Sequence, residues 1–148
     1  MRRLLIVTHG TFAEGIRSSV SVLAGNTEMI EVINCFVEGG EFSPQNAILK
    51  FIESIPPEDE ILILTDLFGG SVNNMATVLV TETGREKLHL VTGTNLALAV
   101  ELFLYPDDLT PEIINETIEQ AKTGIKYMND EIPKMMAIDT DKDDFFAD

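Results

Sequence analysis

The chain has 148 residues, of which 45% are hydrophobic, and it carries a formal net charge of −15 at pH 7. This length suffices for one domain with its own core but is short for two, and the chain lacks the clustered Lys and Arg that nucleic-acid binding requires. No apolar run is long enough to span a membrane, and the first residues lead into a predicted strand without the cleavage site of a signal peptide. We therefore expect one cytoplasmic domain whose partners do not include nucleic acid.

The first predicted strand, residues 4–7, is followed at once by a histidine and by the start of a helix. Gly10 breaks the strand pattern, and Thr11 with Glu14 three residues later forms a capping-box pattern, which predicts a helix N-terminus. His9 is therefore expected between the end of a strand and the start of a helix. This edge of an open α/β sheet is where ligands bind, and free backbone N–H groups there favour anions. The position indicates phosphoryl chemistry at His9.

The next two elements are predicted from periodicity and from helix-start signals. Apolar residues at helical spacing predict the first helix, which Gly25 ends, and these residues are Phe12, Ile16, Val20 and Leu23. Residues 29–35 alternate as in a strand, and the single cysteine, Cys35, fits a packing role in a reducing compartment. Ser43 is the predicted N-cap of a second helix, with Pro44 at its first position.

A third strand, residues 60–65, is apolar on both faces, as is typical of the centre of a parallel sheet. It ends at Asp66, and a Gly-Gly pair and Ser71 follow, with Ser71 predicted to cap the next helix. If the first and third strands are neighbours, Asp66 lies beside His9. A carboxylate that accepts a hydrogen bond from one ring nitrogen fixes the tautomer and leaves the other nitrogen as the nucleophile.

The remaining elements repeat this pattern. Gly84 precedes a fourth strand, residues 87–91, and His89 lies inside that strand, where we expect a structural or surface role. The predicted buried face of the fourth helix is Leu96, Ala99, Val100 and Phe103. Thr110 and Pro111 begin a fifth helix, whose predicted apolar stripe is Ile114, Ile118, Ala121 and Ile125.

The alternation of strands and helices predicts an α/β, doubly wound, flavodoxin-like and mostly parallel sheet in the order 2-1-3-4. In that order the first and third strands are adjacent, so His9 and Asp66 lie at the topological switch point. After the fifth predicted helix the chain has a further segment with apolar residues, which are Ile132, Met135, Met136 and Ile138. We predict a domain over residues 1–129 and a dimerisation segment with an acidic tail over residues 130–148.

Three motifs carry a resemblance to a known family. They are LIVTHG with FAEG at residues 5–15, TDLFGGS with Asn74 at residues 65–74, and GTN at residues 93–95. In this order, at three strand ends, they resemble the IIA component of the mannose-family sugar phosphotransferase system from Met1 to about Met128. Many relatives have proline after Gly-Gly-Ser, where this chain has Val72.

The resemblance implies a phosphotransferase that carries a phosphohistidine. A IIA component accepts a phosphoryl group from the histidine-containing phosphocarrier protein and donates it to a IIB component for sugar uptake, so it meets the membrane only through the permease complex. The phosphorylated residue would be His9, with Asp66 as the partner of its imidazole. The resemblance also implies a homodimer with an antiparallel strand swapped between subunits, for which residues 132–138 are the candidate. No cofactor or metal is expected.

The residues themselves predict how the phosphoryl oxygens are held. Backbone N–H groups of Gly10, Thr11, Gly69, Gly70 and Ser71, with the hydroxyls of Thr11 and Ser71, are the predicted phosphate-binding groups. Phosphoryl transfer between two imidazoles depends mainly on positioning and charge stabilisation, which such groups supply.

Three alternatives use the same histidine. The histidine phosphatases also place His-Gly after a first strand, but their motif has Arg before the histidine, and here that residue is Thr8. A IIA-like carrier of dihydroxyacetone phosphorylation, or a regulatory module, would keep the histidine and change the partner. The sequence identifies neither the partner nor the sugar.

Overall fold

The computed structural model describes residues 1–40 and 43–143, with side chains described as far as residue 137. Within these residues four strands form one parallel sheet in the order β2-β1-β3-β4, and they are β1 (Arg2–His9), β2 (Ile30–Cys35), β3 (Glu60–Thr65) and β4 (Leu88–Thr92). One helix follows each strand, and two more helices come after the fourth. The helices are α1 (Phe12–Ala24), α2 (Gln45–Ser54), α3 (Ser71–Thr83), α4 (Leu96–Leu104), α5 (Pro111–Thr123) and α6 (Met128–Asp143). The predicted doubly wound fold and its strand order are confirmed.

The helices cover both faces of the sheet because successive side chains of each strand point to opposite faces. Leu4 and Ile6 of β1 belong to a buried cluster with residues of α1, α4 and α5. Leu5 and Val7 belong to a second cluster with residues of α2 and α3. All six residues of β3 are buried, as expected for a central parallel strand. The sheet therefore lies between two layers of helices. The carboxyl ends of its strands form one edge of the sheet, called the rim below, where His9 and Asp66 lie.

A buried ion pair connects the opposite end of the sheet to the later helices. The Arg2 guanidinium lies 2.5 Å from Glu60, and it also donates to the carbonyls of Leu102 and Tyr105. His89 has its Nε2 3.5 Å from Glu60 Oε1, with an 18% exposed side chain. The His89 ring therefore lies beside the buried Glu60 carboxylate at the end of the sheet opposite His9.

Three helix starts differ from the sequence predictions. Thr11 precedes α1, but its side chain makes no capping hydrogen bond, and the Ala13 N–H instead donates to Thr8 Oγ1 at 2.7 Å. Ser43 does not cap α2, because the helix begins later and Pro44 occupies the cap position. Ser71 is the first residue of α3 and Gly70 is the cap. The prediction at α5 is confirmed, since Thr110 accepts a hydrogen bond from the Ile113 N–H.

The segment after α5 is helical, which corrects the strand predicted over residues 132–138. Asp130 and Glu131 occupy the first turn of α6, where negative charge favours a helix, and the Met, Lys and Ala residues that follow are good helix formers. Ile125 lies beyond α5 and is exposed, so it is not part of that helix's buried stripe. Residues 144–148 of the predicted acidic tail lie outside the described residues. Among the described helices, none has the length and hydropathy needed to cross a membrane.

Candidate functional site

His9 is the last residue of β1, and Asp66 directly follows β3, so the adjacent parallel strands bring both to one rim of the sheet. Asp66 Oδ2 accepts a hydrogen bond from the His9 backbone N–H at 2.8 Å and lies 3.0 Å from Nδ1 of the same residue. The carboxylate therefore holds both the backbone and the ring of His9. The predicted meeting of these two residues is present in the structure.

The second ring nitrogen faces the start of α3. His9 Nε2 lies 3.3 Å from Ser71 Oγ. When Nδ1 carries the proton and donates a hydrogen bond to Asp66, Nε2 has a free lone pair that can accept a hydrogen bond from a hydroxyl. The histidine side chain is 39% exposed and the aspartate side chain is 16% exposed. In that tautomer, a ring nitrogen with a free lone pair lies at the protein surface, and the carboxylate that contacts the other nitrogen is more deeply buried.

The loop between Asp66 and α3 is held by an asparagine that the sequence reasoning missed. Asn73 is buried, its Oδ1 accepts from the Gly69 N–H at 3.3 Å, and its Nδ2 donates to Thr65 Oγ1 at 3.3 Å. Asn74 also donates to the Gly69 carbonyl at 3.1 Å. Gly69 has a φ of +74°, which a glycine adopts without strain. The sequence carried no signal for Asn73, because its burial and its two hydrogen bonds arise only when α3 packs beside β3.

The structure revises the predicted set of phosphate-binding groups. The Gly10 N–H donates to the Cys35 carbonyl at 2.9 Å, and the Gly70 N–H donates to the Leu67 carbonyl at 3.0 Å. With Gly69 also bonded to Asn73, all three glycine N–H groups already have partners within the protein. The Ser71 hydroxyl lies 3.3 Å from Nε2. Ser71 is the first residue of α3, and the first-turn N–H groups of a helix have no acceptor inside it. Thr11 is exposed at the start of α1.

Phe36 is a second residue that the sequence reasoning missed. Its ring centroid lies 5.5 Å from that of His9, with an angle of 31° between the ring planes. The residue follows β2, so it belongs to the same rim as His9. No feature of the sequence marked it, because an aromatic residue directly after a strand is ordinarily read as part of the strand or of a loop.

The described residues hold no cluster of three or more His, Cys, Asp or Glu side chains that could bind a metal ion. The groups that meet at the rim are an imidazole, a carboxylate, a hydroxyl and a helix N-terminus. Such a set is suited to receive and release an anionic group on Nε2.

The fold and the rim define a class of doubly wound α/β proteins with a carboxylate-held histidine at the topological switch point. A family model described as the phosphotransferase system fructose IIA component matches residues 3–121. The chain belongs to this family, the mannose and fructose type of IIA components, which confirms the resemblance seen in the sequence. It is thus a component of a sugar phosphotransferase system.

Individual relatives agree with this assignment. A solved structure from Klebsiella pneumoniae, described as a phosphoenolpyruvate-dependent sugar phosphotransferase system permease, is 32% identical with a TM-score of 0.75, and the match covers 88% of this chain and 93% of that one. The EIIA component of Streptococcus agalactiae is 30% identical with a TM-score of 0.71, over 87% of this chain and 98% of that one. The fructose-specific EIIA component of Bacillus subtilis is 22% identical over 95% of this chain and 96% of its own length.

Proposed function

We propose that the protein is a phosphohistidine carrier for sugar uptake. His9 accepts a phosphoryl group from the histidine-containing phosphocarrier protein and donates it to a IIB component. The observation that carries this proposal is the hydrogen-bonded contact of Asp66 with Nδ1, which leaves Nε2 exposed beside Ser71. The orientation and the tautomer that a nucleophilic imidazole needs follow from this contact.

The transfer is an exchange of one phosphorus–nitrogen bond for another. The lone pair of His9 Nε2 attacks the phosphorus of the donor's phosphohistidine in line with the bond that breaks, and the electron pair of that bond returns to the donor imidazole. Positive charge develops on the His9 ring, and the Asp66 carboxylate stabilises it through Nδ1. The Ser71 hydroxyl and the first-turn N–H groups of α3 then face the phosphoryl oxygens. Donation to the IIB component reverses these steps, and no cofactor or metal takes part.

The surroundings of His9 suit a protein partner. The loop after Asp66 exposes two apolar side chains, with Leu67 61% and Phe68 84% exposed, and Phe36 is 42% exposed on the other side of the ring. Exposed apolar side chains grouped around a functional residue are typical of docking surfaces. The net charge of −15 favours partners with a basic contact surface. The carrier would act in the cytoplasm and reach the membrane only through the permease complex.

The proposal is tested by phosphorylation in a reconstituted system. Incubation with phosphoenolpyruvate, enzyme I and the phosphocarrier protein should add one acid-labile phosphoryl group to the wild-type chain. His9→Ala should abolish the labelling, and His89→Ala should retain it, since His89 lies inside β4 beside Glu60. Labelling that survives in His9→Ala and is lost in His89→Ala contradicts the assignment.

The acceptor is identified in a second step with the phosphorylated chain. Addition of one equivalent of a IIB component should transfer the phosphoryl group from His9 to that component. A dihydroxyacetone kinase subunit should leave the phosphoryl group on His9. The opposite result would leave His9 as the phosphorylated residue and change the partner to the dihydroxyacetone system.

A further inference from the structure

Phe36 occupies a backbone conformation that its side chain disfavours. Its φ is +63°, and no other non-glycine residue in the described part of the chain has a positive φ. In this left-handed region the Cβ crowds the carbonyl oxygen, so bulky residues adopt it rarely. Such strain persists only where the surrounding structure holds it, and it collects at functional sites.

Two anchors hold Phe36 in this conformation. On its N-terminal side, Cys35 is fully buried, and its carbonyl accepts a hydrogen bond from the Gly10 N–H at 2.9 Å. On its C-terminal side, the turn closes at Gly40, where an added Cβ would lie only 2.3 Å from the Asn34 carbonyl oxygen. The loop is therefore pressed against the end of β2 at one anchor and tied to the segment after β1 at the other.

The side chain that this loop presents contacts the ring of His9. Asp66 fixes the position of Nδ1, but a hydrogen bond at one ring atom leaves the plane of the ring free to tilt about that bond. The Phe36 ring lies beside the imidazole, with 5.5 Å between the ring centroids and 31° between the ring planes, and its bulk restricts this tilt. The two residues thus constrain different degrees of freedom of the same ring.

We propose that Phe36 is a positioning residue for phosphoryl transfer, because its ring fixes the plane of the imidazole so that Nε2 is directed toward the N-terminus of α3. This inference rests on the proposed role of His9. The positive φ of Phe36 contributes to this positioning, since relaxation of the backbone at Phe36 would move the side chain away from His9. Alignment of a nucleophile before attack lowers the barrier without any new contact to the partner.

The proposal predicts which substitutions at this position are tolerated. Phe36→Ala and Phe36→Gly should each lower the single-turnover transfer rate at saturating phosphocarrier protein by about tenfold, whereas Phe36→Tyr keeps the ring and should stay within about twofold of wild type. Phe36→Gly should also melt at a higher temperature than Phe36→Ala, because glycine adopts a positive φ without strain. A purely structural role would not combine greater stability with a persistent loss of transfer.

The ring itself can be observed in the unphosphorylated protein. The chain has two histidines, so the imidazole nitrogen signals of His89 serve as an internal reference in the same NMR spectrum. Phe36→Ala should broaden the His9 nitrogen signals, because the plane of the imidazole is no longer held while Asp66 still contacts Nδ1, and it should leave the His89 signals unchanged. Phe68→Ala is the matched control, since it removes an exposed aromatic ring of the docking surface, and it should raise the partner concentration for half-maximal rate without broadening the His9 signals.

The outcomes separate this inference from the proposed function. A wild-type chain that is not phosphorylated on His9 would overturn the proposed function, while the NMR comparison would still test the contact between the two rings. If wild type is phosphorylated and Phe36→Ala transfers at the wild-type maximal rate with unchanged His9 signals, the positioning role is overturned. It is equally overturned if Phe36→Ala raises only the half-saturating partner concentration, because Phe36 would then be a docking residue.

Discussion

At the scale of single residues, Asp66 has more contacts than its proposed role on the imidazole requires. Its Oδ2 accepts the His9 backbone N–H, and its Oδ1 accepts the Leu67 N–H at 2.9 Å. Each carboxylate oxygen therefore accepts one backbone donor in addition to its place near the ring. The same side chain closes the turn after β3 and holds the end of β1.

Asp66→Asn is accordingly expected to affect both transfer and stability. The amide cannot stabilise developing positive charge on the His9 ring, so the transfer rate should fall tenfold or more, equivalent to about 1.4 kcal/mol in the barrier. The amide NH₂ must also replace one oxygen that accepts a backbone N–H, which should lower the free energy of unfolding by about 1–3 kcal/mol. Single-turnover kinetics and urea unfolding measure the two effects.

Thr110→Ala provides a control for Asp66→Asn, because it weakens the N-cap of α5 by about 1 kcal/mol without touching the rim. It should retain wild-type transfer. A wild-type rate in Asp66→Asn would refute the pairing of Asp66 with the nucleophilic ring.

The sequence predicted the residues that stand at strand ends and missed those that depend on tertiary contacts. His9 and Asp66 were predictable because the carboxyl ends of parallel strands meet at one edge whatever the loops do. Asn73 was not, because its two hydrogen bonds join the loop and the strand end only after α3 has packed. Phe36 was not, because local preference argues against an aromatic residue at positive φ.

At the scale of elements, the start of α1 depends on a residue of the preceding strand. Thr8 is fully buried, and its hydroxyl accepts the Ala13 N–H at 2.7 Å. The hydroxyl of β1 thus satisfies a donor of the helix and fixes the path of the intervening His9–Gly10 turn. Thr11 and Glu14 have the residue types and spacing of a capping box, but Thr11 makes no capping hydrogen bond and the Glu14 carboxylate forms an ion pair with Arg17.

Thr8→Val should therefore destabilise the fold, because a valine of nearly the same shape leaves the Ala13 N–H buried without an acceptor. The expected loss is about 1–3 kcal/mol in the free energy of unfolding. Thr8→Ser keeps the hydroxyl and is the matched control. The chain has no Trp, so far-UV circular dichroism in urea is the suitable measurement, and equal stability of Thr8→Val and wild type would show that the hydroxyl does not matter.

The order of the strands in the sheet was predictable from the sequence, whereas the buried face of each helix was harder to predict. The βα alternation and the glycine stops predicted the sheet order, because crossovers in parallel sheets are right-handed and short. The buried face of α4 was predicted at Leu96, Ala99, Val100 and Phe103, whereas the structure buries Leu98, Ala99 and Leu102. Its sequence is apolar on nearly every side, so periodicity alone cannot select the face that tertiary packing buries.

At the scale of the whole molecule, the sheet of the described residues has two edge strands, and the last described helix, α6, exposes apolar side chains. Both β2 and β4 are edge strands in the order β2-β1-β3-β4, and open edges invite pairing with another chain. Residues 1–129 were predicted as the domain and residues 130–148 as a dimerisation segment. The sequence supplied the apolar residues of that segment but not their secondary structure, because four apolar residues among polar ones fit a short strand or a helix stripe equally well.

The homodimer remains a prediction, and α6 gives it a specific surface. Met128, Ile132, Met135 and Met136 recur at the spacing of one helix face, and their exposed fractions are 48%, 46%, 60% and 68%. Burial of such a stripe against a second copy is worth about 25 cal/mol per Å² of apolar area. Truncation after Asn129 should shift sedimentation at micromolar concentration toward the monomer and lower the melting temperature, whereas removal of residues 141–148 should change neither.

A point substitution makes the dimer test sharper. Met136→Asp places a charge on the apolar stripe and should dissociate the dimer, while Lys134→Gln, on the opposite side of α6, makes the same change in net charge and should leave the dimer intact. Lys134 is 67% exposed, and its ion-pair partner among the described residues is Glu131 of the same helix, so its replacement removes little stability. Sedimentation of the full-length wild type as a monomer would refute the dimer and leave the role of His9 untouched, because Asp66 and Ser71 reach the imidazole from within the same chain.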